Sequence, residues 1–410
     1  MVIKMDKYEV LKKYFGYEGF RNNQEDIINS LLSGNDTIAI LATGGGKSIC
    51  FQIPAIIKEG LTIVVTPLIS LMQNQVEELK ERKISAEYIS SEMDYIEITN
   101  VINRVKNKEI KLLYISPERL ENERYRAVFS TLDISYIIVD EAHCISVWGN
   151  DFRPSYQRIK ELIDSLSKRP TIGAFTATAN KKVINDIDEI LHLKDVNIFK
   201  SGFDRPNLFY GVYKPKNKLN FLLKQLLMYQ DDIILIYTVT RKEADSLYSK
   251  LKGMNFKVGL YHGGLDAKEK EECLNKFMSE EYKIIVATNA FGMGINKPNI
   301  RHVINYSIPL SMEDLSQQSG RCSRDGLEGR CILLFNEEDI KVCEYFIKQT
   351  KSYKKELQKE LIKEKYRQLK SVIEYATSNK CLHHLMVSYF GGLAKTKCFM
   401  CTNCQKKKRH

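Results

Sequence analysis

The feature that most constrains this chain is an alternation of short, β-branched apolar runs with longer stretches of helical spacing, repeated along 410 residues. Near-continuous apolar strands separated by helices are typical of a parallel sheet that is covered on both faces. The predicted strands are residues 37–41, 62–65, 111–115, 136–139, 171–175, 232–237, 257–261, 283–286 and 301–305. The alternation restarts after the fifth strand, so it predicts two α/β domains in tandem.

A third region follows the two rounds of alternation. Residues 339–389 carry Lys, Glu, Leu and Tyr at helical spacing with neither Gly nor Pro, which predicts two helices leading into a cysteine cluster. The second round begins after residues 201–207. We therefore expect domains at residues 1–200, 201–340 and 341–410, the last one small, helical and basic.

Composition excludes several classes of protein. With 43% hydrophobic and 28% charged residues, 9 Pro and 22 Gly, the chain is neither disordered nor fibrous. No apolar run approaches the roughly 18 residues that a membrane span needs, and the N-terminus has no secretory signal. We expect a cytoplasmic protein, associated with the nucleoid if the source is bacterial, that does not bind membranes.

The positive charge is unevenly placed. Residues 350–410 hold 15 Lys and Arg against 4 Glu, which accounts for the whole formal net charge of +11. A solvated Lys-rich tail explains such an excess about as well as contact with a polyanion does. Charge alone is therefore weak support for a nucleic-acid partner.

A glycine-rich turn lies between the first strand and the helix that follows it. Its functional residues are Gly44, Gly45, Gly46, Lys47 and Ser48. Backbone N–H groups of such a turn can approach phosphate oxygens, Lys47 adds a point charge, and Ser48 can ligate Mg²⁺. Leu41 stands where the general pattern has Gly, so the match is to the Gly-Lys-Ser end only. We interpret the turn as a phosphate-binding loop.

Two acids, Asp140 and Glu141, directly follow the strand at 136–139. They are expected at the carboxyl edge of the sheet, where open α/β folds bind ligands. One acid can hold Mg²⁺ and the other can orient or deprotonate water. An isolated acidic pair is usually a solvated turn, but together with the phosphate loop it predicts a nucleotide hydrolysis site.

Paired arginines, Arg321 and Arg324, occur in residues 317–326 of the second predicted domain. Alone they would be interpreted as surface ion-pairing residues. A phosphate loop in one domain and paired arginines in the other favour ATP bound between domains, with one arginine stabilising charge in the transition state. The sequence does not decide which arginine does so.

An aromatic segment, residues 145–156, follows the acidic pair and contains the chain's one tryptophan. Trp148, Phe152 and Arg153 can form a platform on which nucleobases stack, at about 1–3 kcal/mol per base. A buried aromatic cluster is the alternative. The Gly, Asn, Asp and Pro residues of the segment indicate a loop and favour the platform.

Four of the ten cysteines lie within the last thirty residues: Cys381, Cys398, Cys401 and Cys404. They are enough for a closed, tetrahedral, structural Zn²⁺ site. The two-residue gaps also fit an iron–sulfur cluster, and His383 or His384 competes with Cys381 as the fourth ligand. We expect Zn²⁺ bound by the four cysteines.

These motifs together resemble the RecQ family of DNA helicases, within superfamily 2, from about residue 14 to residue 404. Further motifs similar to those of the family lie at residues 15–24, 66–72, 116–120, 175–179, 261–265, 286–298 and 389–391. The resemblance implies two RecA-like parallel-sheet domains followed by a small helical zinc-binding domain. The zinc-binding unit would be the cysteine region.

Roles for individual residues follow from the resemblance. It implies that Tyr17 and Arg21 sandwich the adenine of ATP and that Gln24 bonds to the edge of the base. Thr176 and Thr178 would link hydrolysis to movement. The aromatic segment would report DNA occupancy to Glu141, while Lys47, Ser48 and Asp140 would hold Mg·ATP.

The implied activity is ATP-dependent 3′-to-5′ translocation on single-stranded DNA, with unwinding of tailed duplexes in recombination or repair. A DNA-stimulated ATPase, translocase or annealing factor that does not unwind efficiently is an alternative, as is a non-catalytic zinc-containing DNA-binding protein. An RNA substrate is a weaker alternative. ATP, Mg²⁺ and Zn²⁺ are the expected cofactors.

Several positions depart from the family pattern. Val147 and Asn150 replace Gln and His in the aromatic segment, and Cys322 and Ser323 replace Ala and Gly between the two arginines. Gly392 replaces a Glu, and Leu382 and His383 stand where arginines are common. The sequence ends six residues after Cys404, from which no winged-helix domain is expected.

Overall fold

The computed structural model describes residues 5–21, 23–42, 44–149, 152–201, 203–291, 297–351 and 355–406. The chain divides into two units, Met1–Gly202 and Phe203–His410. Several residues of the predicted motifs lie outside the described residues: Thr43, Asn150, Asp151, Gly202 and residues 292–296.

Unit 1 is an α/β domain built on one parallel sheet. Its strands are β1 (Thr37–Leu41), β2 (Leu61–Val65), β3 (Ala86–Ile89), β4 (Leu112–Ile115), β5 (Ile134–Val139), β6 (Thr171–Thr176) and β7 (Asn197–Ser201). Its helices are α1 (Lys7–Val10), α2 (Gln24–Leu32), α3 (Lys47–Ile57), α4 (Ile69–Glu81), α5 (Tyr95–Lys106), α6 (Glu123–Phe129), α7 (Arg158–Ser165) and α8 (Lys181–Leu191). A π-helical turn spans Leu11–Phe15, and 3₁₀ turns span Pro117–Glu121, Ala142–Ile145 and Pro154–Gln157.

The strand order in this sheet is β3-β4-β2-β5-β6-β1-β7, with every pair parallel. The inner strands are buried along their whole length because helices cover both faces. Phe51 of α3 packs edge-on against Phe175 of β6, with ring centroids 5.3 Å apart. This packing fixes α3, and with it the loop before α3, against the middle of the sheet.

Unit 2 repeats the plan and adds a helical region. Its strands are β8 (Leu208–Tyr213), β9 (Ile233–Tyr237), β10 (Val258–Tyr261), β11 (Ile284–Ala287), β12 (Ile300–Asn305) and β13 (Gly329–Leu334). Its helices are α9 (Lys218–Met228), α10 (Arg241–Gly253), α11 (Ala267–Met278), α12 (Met312–Ser319), α13 (Glu337–Lys348), α14 (Gln358–Thr377), α15 (Leu382–Tyr389) and α16 (Thr402–Lys406), with a 3₁₀ turn at Lys355–Leu357. The strand order is β10-β11-β9-β12-β13-β8, again entirely parallel.

The predicted fold class, which is two parallel-sheet α/β domains with a helical C-terminal region, is confirmed. All the predicted strands are present to within a few residues, but four others were not predicted: β3, β7, β8 and β13. Three of them are the outermost strands of their sheets, and β7, for example, alternates between half-buried and exposed positions. Among the described residues, no helix has both the length and the apolar character that crossing a membrane requires.

The prediction of two helices in residues 339–389 is wrong, because α13, α14 and α15 occupy this stretch. Neither break contains Gly or Pro, and the second, between α14 and α15, is stabilised by a side chain instead. At the second break, the Asn403 amide donates to the carbonyl oxygens of Ser378 and Lys380, both at 2.8 Å. Such tertiary capping leaves no local sequence signal.

Residues 240–243 have the Thr-x-x-Glu pattern of a capping box at the start of α10, but only half of the box is present. Thr240 Oγ1 accepts from the Glu243 backbone N–H at 3.0 Å. The Glu243 carboxylate, however, accepts from Ser307 Oγ at 2.6 Å. A tertiary partner on the loop after β12 has replaced the reciprocal bond to the cap.

One buried carboxylate, Asp36, ties together the amino ends of three strands in unit 1. Its side chain accepts from the backbone N–H groups of Ile172, at 2.9 Å, and Lys194, at 2.7 Å, and pairs with Arg169. Its own carbonyl accepts from Asn197 N–H at 2.9 Å. Because Asp36 is 1% exposed, water cannot substitute for these bonds.

We expect Asp36→Ala to lower the free energy of unfolding of unit 1 by about 3 kcal/mol, because two buried N–H groups and Arg169 lose their acceptor. Urea unfolding followed by the fluorescence of Trp148, the single tryptophan, measures this unit. Glu109→Ala is the control, since its ion pair with Arg104 is about half exposed and is worth at most about 1 kcal/mol. Equal urea midpoints for Asp36→Ala and Glu109→Ala would contradict the expectation.

Candidate functional site

The glycine-rich loop joins β1 to α3 and has the backbone geometry of an anion-binding turn. Gly44 and Gly46 adopt φ values of 82° and 76°, which side-chain-bearing residues rarely take. At Gly45, a Cβ would lie 2.8 Å from the Ala42 carbonyl oxygen. The loop therefore needs glycine at these positions, and Lys47 and Ser48 begin α3, whose N-terminal N–H groups suit a phosphate.

The two acids meet this loop at the carboxyl end of β5. Lys47 Nζ lies 3.4 Å from Glu141 Oε1, and both side chains are largely buried. Asp140 is buried, and its desolvation, followed by the charge of Glu141, raises its pKa above the ordinary value while Lys47 opposes the shift. Glu141 adopts a left-handed φ of 48°. The structure thus brings Lys47, Asp140 and Glu141 together as the sequence predicts.

A chain of polar contacts continues from Glu141 to the end of β6. Glu141 Oε2 lies 3.3 Å from His143 Nδ1, which in turn lies 2.9 Å from Thr176 Oγ1. Thr176 Oγ1 in turn donates to the Thr178 carbonyl oxygen at 3.0 Å. His143 therefore lies in polar contact with both the acid and the end of β6.

Gln24 holds the phosphate loop from the outside. Its amide Nε2 donates to the carbonyl oxygens of Gly45 and Gly46 at 3.4 and 3.2 Å, and its Oε1 accepts from Arg21 N–H at 2.8 Å. The Arg21 guanidinium lies 5.8 Å from the centroid of the exposed Tyr17 ring. Tyr17 and Arg21 are thus adjacent, while the Gln24 side chain is engaged with the loop.

The aromatic segment is anchored on α8, which the sequence did not predict. Ser146 Oγ donates to Asp186 at 2.5 Å and accepts from the Trp148 backbone N–H at 3.1 Å. Lys182 Nζ lies 4.2 Å from the centroid of the half-buried Trp148 ring. Asp186 and Lys182 were not predicted because a Lys and an Asp on a helix surface are usually solvated.

The other two residues of the predicted base-stacking platform are Arg153 and Phe152. Arg153 Nη1 donates to the Pro67 carbonyl oxygen at 3.1 Å and lies 3.9 Å from Glu118 Oε1. Phe152 is half buried. Arg153 thereby connects the aromatic segment to the loops that follow β2 and β4.

The paired arginines follow α12 in unit 2. The Arg321 guanidinium, 5% exposed, donates to the Tyr237 hydroxyl, which itself donates to the Phe291 carbonyl at 3.0 Å. Burial lowers the pKa of Arg324 to about 9, and the nearby charge of Arg321 acts in the same direction. Two adjacent cations, one buried and one half-buried, favour the arrival of an anion.

Cys322 and Ser323, the two residues between the arginines that depart from the family pattern, fit the local backbone. Ser323 adopts a left-handed φ of 46°, which explains a preference for Gly there. Its Oγ donates to the Glu328 carbonyl at 3.1 Å and accepts from Arg301 at 3.1 Å. Cys322 Sγ donates to the Arg301 carbonyl at 3.3 Å, so neither substitution prevents the turn.

Helix α12 is also tied to the cysteine region. The Tyr389 hydroxyl lies 3.0 and 3.1 Å from the two carboxylate oxygens of Glu313. Desolvation raises the pKa of the buried Glu313 to about 7, with smaller contributions from Asp314 and Glu364. Next to Tyr389, Phe390 stacks on Phe203 at 4.4 Å between centroids. The sequence located this segment but not its partners.

The four cysteines converge as predicted. Their sulfur atoms all lie within 4.8 Å of one another, and tetrahedral Zn–S bonds of about 2.3 Å would separate the sulfurs by about 3.8 Å. Backbone N–H groups of Met400 and Cys404 point at Cys398 Sγ and Cys401 Sγ, at 3.3 and 3.4 Å, and would stabilise thiolates. The donor set fits a structural Zn²⁺ ion.

Neither histidine belongs to this cluster. His383 Nε2 lies 2.9 Å from the Leu208 carbonyl oxygen, and His384 Nδ1 lies 3.3 Å from that of Ala394. The segment 398–406 instead docks on the edge strand β8: Tyr210 N–H donates to the Met400 carbonyl at 3.2 Å. The cysteine region therefore completes one edge of unit 2.

Family models match this chain in three consecutive segments. The DEAD/DEAH box helicase model matches residues 21–187, the helicase conserved C-terminal domain matches 217–326, and the RecQ zinc-binding model matches 337–405. These three segments contain, in the same order, the phosphate loop with the two acids, the arginine pair and the cysteine cluster.

Curated relatives cover nearly the whole chain. The ATP-dependent DNA helicase RecQ of Bacillus subtilis (strain 168) is 42% identical over 396 residues, which is 96% of this chain and 66% of the relative. A putative ATP-dependent RNA helicase of Acanthamoeba polyphaga mimivirus is 36% identical over 97% of this chain and 71% of the relative. The chain spans 62–66% of the length of three bacterial RecQ relatives.

Solved structures share the fold at low identity. The DEAD-box helicase Mss116, bound to single-stranded RNA and UDP-BeF, gives a TM-score of 0.70 at 18% identity and covers 95% of this chain and 89% of that one. This similarity supports the RecA-like architecture.

We expect Cys401→Ser to lower bound zinc and soluble yield much more than the ATP turnover of the protein that does fold, because a structural metal site contributes folding free energy. Zinc content and turnover per folded molecule are the measurements. Cys273→Ala, a buried cysteine outside the cluster, is the matched control and should keep its zinc. Well-folded Cys401→Ser protein with full zinc content would contradict the four-cysteine site.

We expect Glu313→Gln to remove part of the pH dependence of stability. The folded pKa of about 7 exceeds the ordinary 4.5, so the stabilisation is complete below pH 4.5 and is lost as the pH rises through 7. The difference in melting temperature between Glu313→Gln and wild type should therefore grow in favour of the variant from pH 5 to pH 8. Glu272→Gln, at an exposed site on α11, should follow wild type; a Glu313→Gln profile parallel to wild type would refute the assignment.

Proposed function

Because the chain belongs to the RecQ family of superfamily 2 helicases, we propose that it is an ATP-dependent DNA helicase that translocates 3′ to 5′ on single-stranded DNA. The observation that carries the proposal is the continuous contact path in unit 1 from Lys47 through Glu141 and His143 to Thr176. This path joins a phosphate-binding loop to the elements that sense conformational change. A static nucleotide-binding protein has no need of such a connection.

ATP binding is assigned to unit 1. The loop glycines and Lys47 would hold the phosphates, Tyr17 and Arg21 would stack on the adenine, and Gln24 would sense occupancy through its bonds to the loop. Ser48 and Asp140 supply the hydroxyl and carboxylate oxygens that Mg²⁺ favours. That ion would neutralise phosphate charge.

Hydrolysis is assigned to Glu141, with help from unit 2. The Glu141 carboxylate would orient and deprotonate water once an incoming phosphate has attracted Lys47 away from it. The anion-seeking pair Arg321 and Arg324 would stabilise charge on the γ-phosphate. Each guanidinium already has a partner, the Tyr237 hydroxyl for Arg321 and the Gly320 carbonyl, at 3.4 Å, for Arg324, so the role is assigned to the pair.

DNA occupancy would reach the acid through the aromatic segment. A base stacked on Trp148 would displace Lys182 from the ring, with the loss of one cation–π contact of about 0.5–1 kcal/mol. Ser146 and His143 lie on the same short segment as Glu141, so a shift there alters the acid directly. The proposed partners are single-stranded and tailed duplex DNA, in recombination or repair.

A second candidate substrate is RNA, which the name of the mimivirus relative favours. The proposed place of action is the cytoplasm, at the nucleoid if the cell is bacterial. Strand displacement with 3′-tailed, 5′-tailed and blunt duplexes of DNA and of RNA, with ATP turnover measured in parallel, tests substrate and polarity together.

We expect Lys47→Ala to reduce DNA-stimulated ATP turnover by about a hundredfold or more while DNA binding is retained, because Lys47 contacts phosphate of ATP. Lys106→Ala, an exposed lysine on α5, is the control and should keep full turnover. In the strand-displacement assay, wild type is expected to displace strands from 3′-tailed DNA only.

The other outcomes select among the alternatives. Stimulated turnover without displacement would identify a translocase or annealing factor. Absence of ATP turnover in folded wild type that binds DNA would leave a non-catalytic zinc-containing DNA-binding protein.

A further inference from the structure

The turn that carries the paired arginines is buried and sharply bent. It follows α12, and Cys322 and Ser323, which separate the two arginines, are 0% exposed. Ser323 has a left-handed φ of 46°, and a residue with a side chain keeps such a conformation only where its surroundings hold it there. The directions of the Arg321 and Arg324 side chains therefore depend on what holds the backbone between them.

A third arginine, Arg205, holds this backbone. Its Nη2 atom donates to the carbonyl oxygens of Cys322 and Ser323, at 3.0 Å in each case. Hydrogen bonds from a charged donor are about twice as strong as those between neutral groups. Because one nitrogen bonds to two consecutive carbonyl groups, it fixes the orientation of both peptide units.

The residue two positions after Arg205 holds the other end of the same turn. Asn207 Nδ2 donates to the Leu327 carbonyl at 2.8 Å, and the Asn207 carbonyl accepts from Gly329 N–H at 3.1 Å. Pro206 lies between Arg205 and Asn207, and its ring restricts the backbone there. Residues 205–207 thus form a short, stiff support along the arginine turn.

This support is itself anchored on the cysteine region. Residues 203–207 are the first of unit 2. Phe203 stacks on Phe390, with ring centroids 4.4 Å apart, and Asp204 Oδ1 lies 3.6 Å from His383 Nδ1. The position of Arg205 is therefore set by contacts that do not involve the arginine turn.

The charge of Arg205 also acts on the arginine pair. Burial lowers the pKa of Arg324 most, and the charges of Arg321 and Arg205 lower it further. A neutral amide side chain could bond to the same carbonyl groups without adding this repulsion. A guanidinium at this place is therefore costly for the empty turn and favourable when an anion arrives.

We propose that Arg205 is a positioning residue for ATP hydrolysis, which directs Arg321 and Arg324 toward the γ-phosphate by holding the carbonyl groups of Cys322 and Ser323. Its own guanidinium is engaged with the backbone, so it acts through the pair and not on the nucleotide. The inference rests on the proposed function, which assigns the pair to the γ-phosphate. A catalytic group that is misplaced by about 1 Å can cost about a hundredfold in rate.

The first test measures kcat and KM for ATP of the full chain with saturating single-stranded DNA. We expect Arg205→Ala to lower kcat by about ten- to hundredfold, while KM for ATP and the affinity for DNA stay near the wild-type values. Such a split marks the loss of an interaction that acts in the transition state. Arg124→Ala, which removes an exposed arginine on α6 of unit 1, is the control and should keep full kcat.

A second variant covers the case in which Arg205→Ala does not fold, which melting temperatures establish. Arg205→Lys keeps the charge and one donor nitrogen but loses the planar guanidinium. We expect its kcat to lie below that of wild type, with KM for ATP unchanged.

The second test determines whether Arg205 acts through the pair. Arg205→Ala is added to the variant that carries both Arg321→Ala and Arg324→Ala, and hydrolysis is followed in single turnovers so that slow rates are resolved. If Arg205 only positions the pair, the added substitution causes no further loss, because nothing remains to be positioned. Two independent effects would instead multiply.

Full kcat in folded Arg205→Ala or Arg205→Lys, a rise in KM for ATP that accounts for the loss, or multiplied losses in the triple variant would overturn the positioning role. The proposed function would stand in each of these cases, provided that wild type turns over ATP in response to DNA and the variant lacking both arginines does not. Wild type without DNA-stimulated turnover would instead refute the proposed function.

Discussion

Every strand pair in both sheets is parallel, and this constraint positions all the chemistry. Parallel strands present their carboxyl ends at one edge, so loops that are far apart in sequence become neighbours there. In unit 1 the order β5-β6-β1 places the acids, Thr176 and the phosphate loop side by side. His143 can therefore link Glu141 to Thr176, and Lys47 can reach Glu141 from the loop after β1. In unit 2 the order β11-β9-β12 brings the loops after these three strands together in the same way.

Sequence reasoning succeeded where a residue's role is set by its immediate neighbours. Lys47 and Ser48 follow a strand and begin a helix, and Asp140 ends a strand, so local pattern located all three. The cysteine cluster was found from its spacing. Residue types with a restricted chemistry, such as Cys in a ligand spacing or Gly at a positive φ, carry most of their meaning locally.

Sequence reasoning failed where a residue's role depends on a partner that is distant in sequence and that the fold brings close. Asp186 and Lys182 hold the aromatic segment, yet on α8 they read as ordinary surface charges. Glu313 reads as a first-turn helix acid, although it is buried against Tyr389 from a segment 76 residues away. Strand β13 begins with Gly329-Arg330, which are not typical strand residues, and its pairing becomes evident only from β12 and β8.

The docking of segment 398–406 on β8 has a consequence for how the molecule avoids self-association. Strand β8 is the last in its sheet, and an unprotected outer strand offers N–H and C=O groups to any other chain. Here Tyr210 and Val212 direct their N–H groups to Met400 and Thr402, at 3.2 Å each. The metal-binding loop is thus the cover of that outer strand, and chelation would uncover a template for intermolecular β-pairing.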